Sequence, residues 1–330
     1  MSTQMDRKNE HFIVAVTVTY NSAELLKNAI NALLGQTYEV KKIIIVDNAS
    51  NAENKKIIEI IASLSEKIVI VSLSKNSGGA GGFEAGVAYA KDNYGFDWVW
   101  LMDDDAYPTD NCLEELLKYS TLDNVGCLAP LIYGVDNKRF QLYHHKMVKR
   151  FLSKDVIAYN NVEEVQEYSI IDADAFVGPL ISKEVVDKVG IPDGSLFIYG
   201  DDLEYTYRIS KRFNVYLIRS AVINHKDIAA SMSGSPKAWW KDYYMHRNRL
   251  LFVEKFASSG IESFIGKTFV RLGIIKRMCN VYLNKSYTKV MKEKRISILK
   301  SAMKDGNEGV SGKTLDPAEY MKWYNENVVK

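Results

Sequence analysis

Four short apolar, β-branched runs divide the first hundred residues: Phe12–Thr19 (FIVAVTVT), Lys42–Val46, Ile68–Leu73 and Trp98–Met102. Between them lie stretches with apolar residues at three and four spacing, such as Leu25, Leu26, Ile30, Leu33 and Leu34, which is the period of a helix packed on one face. Ser22 and Ser50 stand where two of these helices begin and are expected to cap them. Strands alternating with helices require crossover connections, and therefore a mostly parallel sheet buried on both sides. The expected class is α/β, a Rossmann-like mostly parallel sheet flanked by helices. From Val125 to about His225 the pattern shortens, with a helix after Ser182, another after Asp201 and a strand over Val215–Asn224. Beyond Pro236 it reads as helices over Trp239–Phe256, Ile261–Leu283 and Tyr287–Met303. The expected division is a catalytic domain over 1–235 and a basic helical C-terminal region over 236–330.

Charge and cysteine usage narrow the class further. The formal net charge is +2, yet residues 237–304 hold 16 Lys and Arg against 4 Asp and Glu, so the rest of the chain is acidic. A basic tail on an acidic body implies an anionic partner without naming it. Cys112, Cys127 and Cys279 match no zinc spacing and suit a reducing compartment. The stretch Met1–Glu10 is polar, unlike a signal peptide or anchor, and no run approaches the roughly 20 apolar residues of a spanning helix. A cytoplasmic protein is expected.

In an open parallel sheet, ligands bind beyond the carboxyl ends of the strands. Those ends carry Thr19-Tyr20-Asn21, then Asp47-Asn48-Ala49-Ser50, then Asn76-Ser77-Gly78-Gly79-Ala80-Gly81-Gly82, then Asp103-Asp104-Asp105. Three adjacent carboxylates after a buried strand raise one another's pKa unless a cation compensates them. Hard oxygen ligands suit Mg²⁺ or Mn²⁺; a solvated acidic turn is the alternative. The glycine run is neither a P-loop nor G-x-G-x-x-G, and it reads either as close backbone approach to a phosphate or sugar or as a plain turn. Downstream, Asp201-Asp202 opens a helix, as caps or as a general base, and His225 closes a strand, as a structural residue or a metal ligand.

These strings, V-T-V-T-Y-N, I-V-D-N-A-S, N-S-G-G-A-G-G-F, W-L-M-D-D-D-A and Y-G-D-D-L-E-Y, resemble in type and order the family 2 inverting glycosyltransferases of the GT-A fold. The glycine string with the triple Asp is most similar to the branch of galactofuranosyltransferases and rhamnosyltransferases. Tyr243-Tyr244, Arg247-Asn248-Arg249 and Asp305-Gly306…Gly309…Gly312 extend the likeness. The resemblance implies that Thr19, Tyr20, Asn21 and Asp47 contact base and ribose, with Asp104 near the ribose. It implies that Asn76 and the backbone of Gly79, Gly81 and Gly82 line the donor pocket. Asp103, Asp105 and His225 would hold Mn²⁺ or Mg²⁺. Asp202 would be the catalytic base with Asp201 beside it, where relatives carry Glu-Asp. Asp174, Phe176, Val177 and Gly178 fall at acceptor or donor-sugar contacts. The implied partners are a nucleotide-sugar donor, with UDP-galactofuranose ahead of dTDP-rhamnose, and a lipid-linked glycan acceptor of bacterial-type cell-surface polysaccharide synthesis; no nucleic acid is expected. The basic C-terminal helices would meet an anionic membrane on its inner face, through Lys267, Arg271, Lys276 and Arg277. A sugar-nucleotide pyrophosphorylase, the reading from another class, needs a basic Gly-rich loop where Thr19-Tyr20-Asn21 stands.

Overall fold

The computed structural model describes residues 10–149, 154–226 and 234–329. Met1–Asn9, read above as part of a polar N-terminus, lie outside the described residues. In chain order the first half runs β1 (Ile13–Thr19), α1 (Ala23–Leu34), β2 (Lys42–Asp47), α2 (Ala52–Ala62), β3 (Ile68–Ser72), α3 (Gly78–Asn93) and β4 (Trp98–Asp103). Next come β5 (Ala106–Pro108), α4 (Cys112–Leu117), β6 (Val125–Gly134), β7 (Arg139–Phe140), β8 (Lys146–Lys149), β9 (Lys154–Ile157) and β10 (Tyr168–Ile171). The chain continues through β11 (Val177–Ser182), α5 (Lys183–Lys188), α6 (Asp201–Ser210) and β12 (Asn214–His225). It ends in four helices, α7 (Trp239–Phe256), α8 (Gly260–Leu283), α9 (Lys289–Glu308) and α10 (Pro317–Asn327).

The sheet order is β10-β12-β6-β11-β4-β1-β2-β3, with β5 paired to β12 and β7 to β6. β3, β2, β1 and β4 are parallel neighbours, and β12 is parallel to β6, while β11 runs antiparallel between β4 and β6. This is the mostly parallel sheet that the alternating pattern predicts. One edge of it therefore collects the carboxyl ends of β1, β2, β4, β6 and β12 and the amino end of β11. Every residue of β1 is buried, which only a strand covered on both faces achieves. Ile13 and Ala15 pack with Leu26, Ile30 and Leu33 on one face; Val14, Val16 and Val18 pack with Phe83, Val87 and Ala90 on the other. Each of the Val, Leu, Ile and Phe side chains contributes about 1.5–3 kcal/mol by leaving water.

Two local expectations need correction. Ser22 stands at the N-cap of α1 but its side chain makes no cap bond. Ser50 does not cap α2: Asn51 does, accepting from Asn54 N at 2.9 Å, while the Ser50 hydroxyl accepts from Asn21 N. The loop needs Ser50 elsewhere, because its own N–H is held by Asp47 Oδ1 at 2.8 Å.

The four cations expected to meet a membrane lie on α8. Lys267 is ion-paired to Glu254 at 2.6 Å, Arg271 donates to Asn307 Oδ1 at 2.8 and 3.0 Å, and Arg277 faces Asp242 at 3.7 Å. These three cations are engaged with neighbouring helices, but Arg277 stays 44% exposed and Lys276 is exposed beside it. Apolar side chains share that outside, from Ile275, 45% exposed, through Leu272 and Phe264 to Leu283, 75% exposed. No described helix is long and apolar enough to cross a membrane.

Candidate active site

The acidic triplet sits where β4 ends and the two-residue turn into β5 begins. β5 pairs antiparallel with β12 so that Ala106 lies opposite His225, and Lys226 N bonds Asp105 O at 3.0 Å. That pairing closes a gap of more than a hundred residues. His225 Nε2 lies 3.3 Å from Asp105 Oδ1, and Asp103, Asp105 and His225 offer ligand atoms within 4.8 Å of one another. The other imidazole nitrogen, Nδ1, is 2.8 Å from Gln141 Oε1, a carbonyl that can only accept, so the proton belongs on Nδ1 and the Nε2 lone pair faces the carboxylates.

The electrostatics ask for a cation. Burial, and then the charges of Asp105, Asp104, Asp201 and Asp202, push the Asp103 carboxyl well above the carboxylate range. Burial also lifts Asp104 to about 7, against the pull of the Thr19 hydroxyl. Two carboxylates and one oriented imidazole at an edge of unmet negative charge fit Mn²⁺ or Mg²⁺, which prefer hard oxygen donors.

Asp201 and Asp202 open α6 from a strained approach. Phe197 (φ 67°), Tyr199 (φ 64°) and Gly200 (φ 82°) all take positive φ, the first two without glycine's freedom. Asp202 lines a cavity of about 890 Å³ together with Asp174, Lys146, Tyr199 and Arg249, whereas Asp201 is buried behind it. Burial raises both carboxyls; Asp201 is raised further by Asp202, and Asp202 is held by Leu203 N at 2.7 Å and lifted by the Asp174 charge.

The residues expected at the nucleotide are distributed along the same edge. Thr19 and Asp47 are buried at the ends of β1 and β2, and Tyr20 is 48% exposed. Asn21, at φ 55°, bridges the two loops by accepting from Asn51 N at 2.8 Å. Asn76 Oδ1 accepts from Gly78 N at 2.8 Å and shapes the entry to α3. The glycines differ among themselves. A Cβ on Gly82 would stand 2.3 Å from Val18 Cγ1, so packing of α3 on β1 requires that glycine, while one on Gly81 would stand 2.5 Å from Ser77 Cβ at the start of its own helix. A Cβ on Gly79 would meet nothing within 4 Å.

Residues 14–178, half of the chain, match the sequence family described as Glycosyl transferase family 2. The chain belongs to glycosyl transferase family 2. Among relatives, it is 29% identical over 200 residues to a galactofuranosyltransferase of Mycolicibacterium smegmatis, covering 60% of this chain and 65% of that protein. The chain thus spans just under two thirds of the galactofuranosyltransferases it matches, including one from Mycobacterium tuberculosis at 64% of its length. A dTDP-rhamnosyl transferase of Shigella flexneri is 26% identical over 91% of this chain and 97% of its own. Among solved structures, a mannosyltransferase of Pyrobaculum calidifontis in complex with GDP-Man and Mn²⁺ superposes with a TM-score of 0.56 at 14% identity, over 93% of this chain and 90% of that one. GalNAc-T7 with UDP, GalNAc and Mn²⁺ gives 0.55 at 16% identity, over 98% and 57%. At these identities the two structures establish the fold.

Three residues of this family 2 chain carry site geometry without having been singled out for it. Asn48 donates to Gly78 O at 2.9 Å and accepts from Ser77 N at 2.9 Å, tying the β2 loop to the start of α3. Gln141 orients His225. Asn248, on α7, donates to the carbonyls of Leu196, Ile198 and Tyr199 at 2.9, 3.0 and 2.7 Å, and Arg247 Nη2 adds a bond to Leu196 O at 2.9 Å. The strained loop leading to Asp201-Asp202 is thus clamped by the C-terminal helices. The amide and acidic side chains at strand ends signalled a site; which of them fasten loops depends on approach between segments distant in sequence.

Proposed function

We propose that this protein is a metal-dependent inverting galactofuranosyltransferase, passing the sugar of UDP-galactofuranose to a lipid-linked glycan. The observation that carries this reading is the proximity of two acidic groups with different tasks. The Asp103, Asp105 and His225 cluster lies close enough to Asp202 for the Asp202 charge to act on Asp103, while Asp202 itself opens into the large cavity. A divalent cation held by Asp103, Asp105 and His225 would neutralise charge growing on the departing diphosphate.

Thr19, Tyr20, Asn21, Asp47 and Asp104 are assigned to base and ribose, and Asn76 with the Gly79, Gly81 and Gly82 backbone to the donor pocket. Asp202 removes the proton of the attacking acceptor hydroxyl, and Asp201, buried and raised, stands behind it. A carboxyl lifted above its ordinary range is a stronger base once ionised, which suits that step. Single displacement from the opposite face inverts the anomeric centre and needs no covalent sugar–enzyme intermediate. The division is a catalytic domain over 1–235 and a basic helical region over 236–330, and the two act together because α7 clamps the loop before α6.

Contact with the inner face of a membrane is part of this reading. The exposed apolar side chains of α8 enter the interface, and the basic surplus of the C-terminal helices supplies attraction to anionic lipid. The test is a panel of nucleotide sugars with Mn²⁺ present, read by released nucleotide. UDP release from UDP-galactofuranose supports the proposal. Turnover with dTDP-rhamnose alone moves the case to rhamnosyl transfer, which the chain-long match to the Shigella protein favours.

A further inference from the structure

Beyond the cavity that Asp202 lines, between α8 and α9, a second cavity of about 440 Å³ is lined by Lys276, Arg277, Asn280, Asn284, Tyr287 and Arg295. The two cavities share Arg277. Three cations border the second one. A single carboxylate, Asp242, is ion-paired to two of them, to Arg295 Nη2 and, at 3.7 Å, to Arg277 Nη1. An excess of positive charge therefore remains.

Arg295 is the unusual member. Only 6% of it is exposed, and its guanidinium lies 4.8 Å from the centre of the Trp239 ring. Nη2 is held by Asp242, but Nη1 has no hydrogen-bond partner among the described residues. A buried guanidinium with an unmet donor is costly unless something accepts from it. The remaining lining is suited to oxygen acceptors. Asn284 Oδ1 accepts from Ser286 N at 2.9 Å and from the Ser286 hydroxyl at 2.6 Å, so its amide hydrogens are what it has left to offer. The positive potential reaches the neighbouring cavity, where burial and the charges of Arg277 and Arg295 hold His246 down at about 4.

We infer that this cavity binds the phosphate or diphosphate of the acceptor, so that the substrate is a phosphate-linked glycan gripped at its anionic end. Lys276, Arg277 and Arg295 take the phosphate oxygens, a geometry to which guanidinium forks are matched. The sugar end extends past Arg277 towards Asp202. The inference rests on the glycosyl-transfer reading for what lies at that far end, but not for the binding itself.

The test is titration calorimetry on the full chain with inorganic pyrophosphate, in chelator, so that no divalent metal draws the probe to the Asp103 cluster. Binding should weaken about ten-fold in Lys276→Glu, the equivalent of about 1.4 kcal/mol, and more in Arg295→Met. Lys276 is exposed, so Lys276→Glu is expected to fold and carries the test even if Arg295→Met does not. A water-soluble alkyl glycosyl diphosphate should compete with pyrophosphate, and the methyl glycoside of the same sugar should not. Wild type that does not bind pyrophosphate, or Lys276→Glu that binds it unchanged, overturns the inference. Competition by phosphatidic acid vesicles but not by the glycosyl diphosphate overturns it in favour of a lipid headgroup, and competition by inorganic phosphate alone in favour of a free-phosphate site. With a working donor, Lys276→Glu should raise the KM for a glycosyl diphosphate acceptor about ten-fold and leave kcat and the donor KM unchanged. Lys276-dependent binding without transfer from any donor sinks only the transfer reading; transfer with Lys276-independent binding sinks only this one.

Discussion

Replacing Asn248 tests whether the C-terminal helices hold the catalytic loop. Its amide donates to Leu196 O, Ile198 O and Tyr199 O, and its Oδ1 accepts from Arg247 Nε at 2.9 Å. Two amide hydrogens are shared among these three carbonyls, and Asn248→Ala removes both, together with the bond that Oδ1 accepts. At about 1 kcal/mol for each net hydrogen bond, and with partial recovery by water, the cost to stability is about 2–3 kcal/mol. The larger effect falls on geometry. Phe197 and Tyr199 are held at positive φ, a conformation that costs about 1–3 kcal/mol for each such residue. Without the clamp the loop relaxes towards ordinary φ and carries the start of α6 with it. A displacement of about 1 Å at a reacting group lowers turnover by about 10²-fold. Asn248→Ala is therefore expected to keep its donor affinity, lose about 10²-fold in kcat and melt a few degrees lower. Asn248→Asp, with the same shape but a carboxylate facing three carbonyls, should be worse in both respects. The assay is nucleotide release at saturating acceptor, with calorimetric donor binding and a thermal melt on the same preparations. Near-normal kcat in a folded Asn248→Ala would refute the argument that α7 positions Asp202.

Four further outcomes follow from the site. Asp202→Asn should leave donor binding within a few fold and lower kcat by at least about 10²-fold, measured at saturating acceptor. Chelation should abolish transfer and Mn²⁺ restore it, with Asp105→Ala and His225→Ala each raising the metal concentration required in an activity titration. In metal-free protein the carboxyls of Asp103 and Asp104 bind protons more tightly folded than unfolded, so stability falls as pH rises through the window from about 4 to about 7; melting curves should show this slope, and Mn²⁺ should flatten it. Gly82→Ala forces a Cβ to within 2.3 Å of Val18 Cγ1, and a loss of about 1–3 kcal/mol in chemical denaturation is expected.

Much of this protein is decided by sequence alone, because the decisive interactions are local and periodic. Alternation of β-branched runs with helical spacing sets the parallel half of the sheet, and β4 ends on Asp103 because three adjacent carboxylates cannot continue a buried strand. Asp201 and Asp202 follow Gly200 at a helix start, where carboxylates are favoured. Other features depend on segments far apart in the chain. Ser50 loses the cap of α2 to Asn51 because its hydroxyl and N–H are claimed by Asn21 and Asp47 once β1 and β2 lie side by side. Gln141 can orient His225 only after β6 and β12 pair. The face that α8 shows to solvent was not legible either: its period is plain, but Lys267 and Arg271 find Glu254 and Asn307 on neighbouring helices, while Lys276 and Arg277 stay exposed beside apolar side chains such as Leu272 and Ile275. A sequence gives each helix its two faces; which of them is buried is decided by the partners that tertiary packing brings against it.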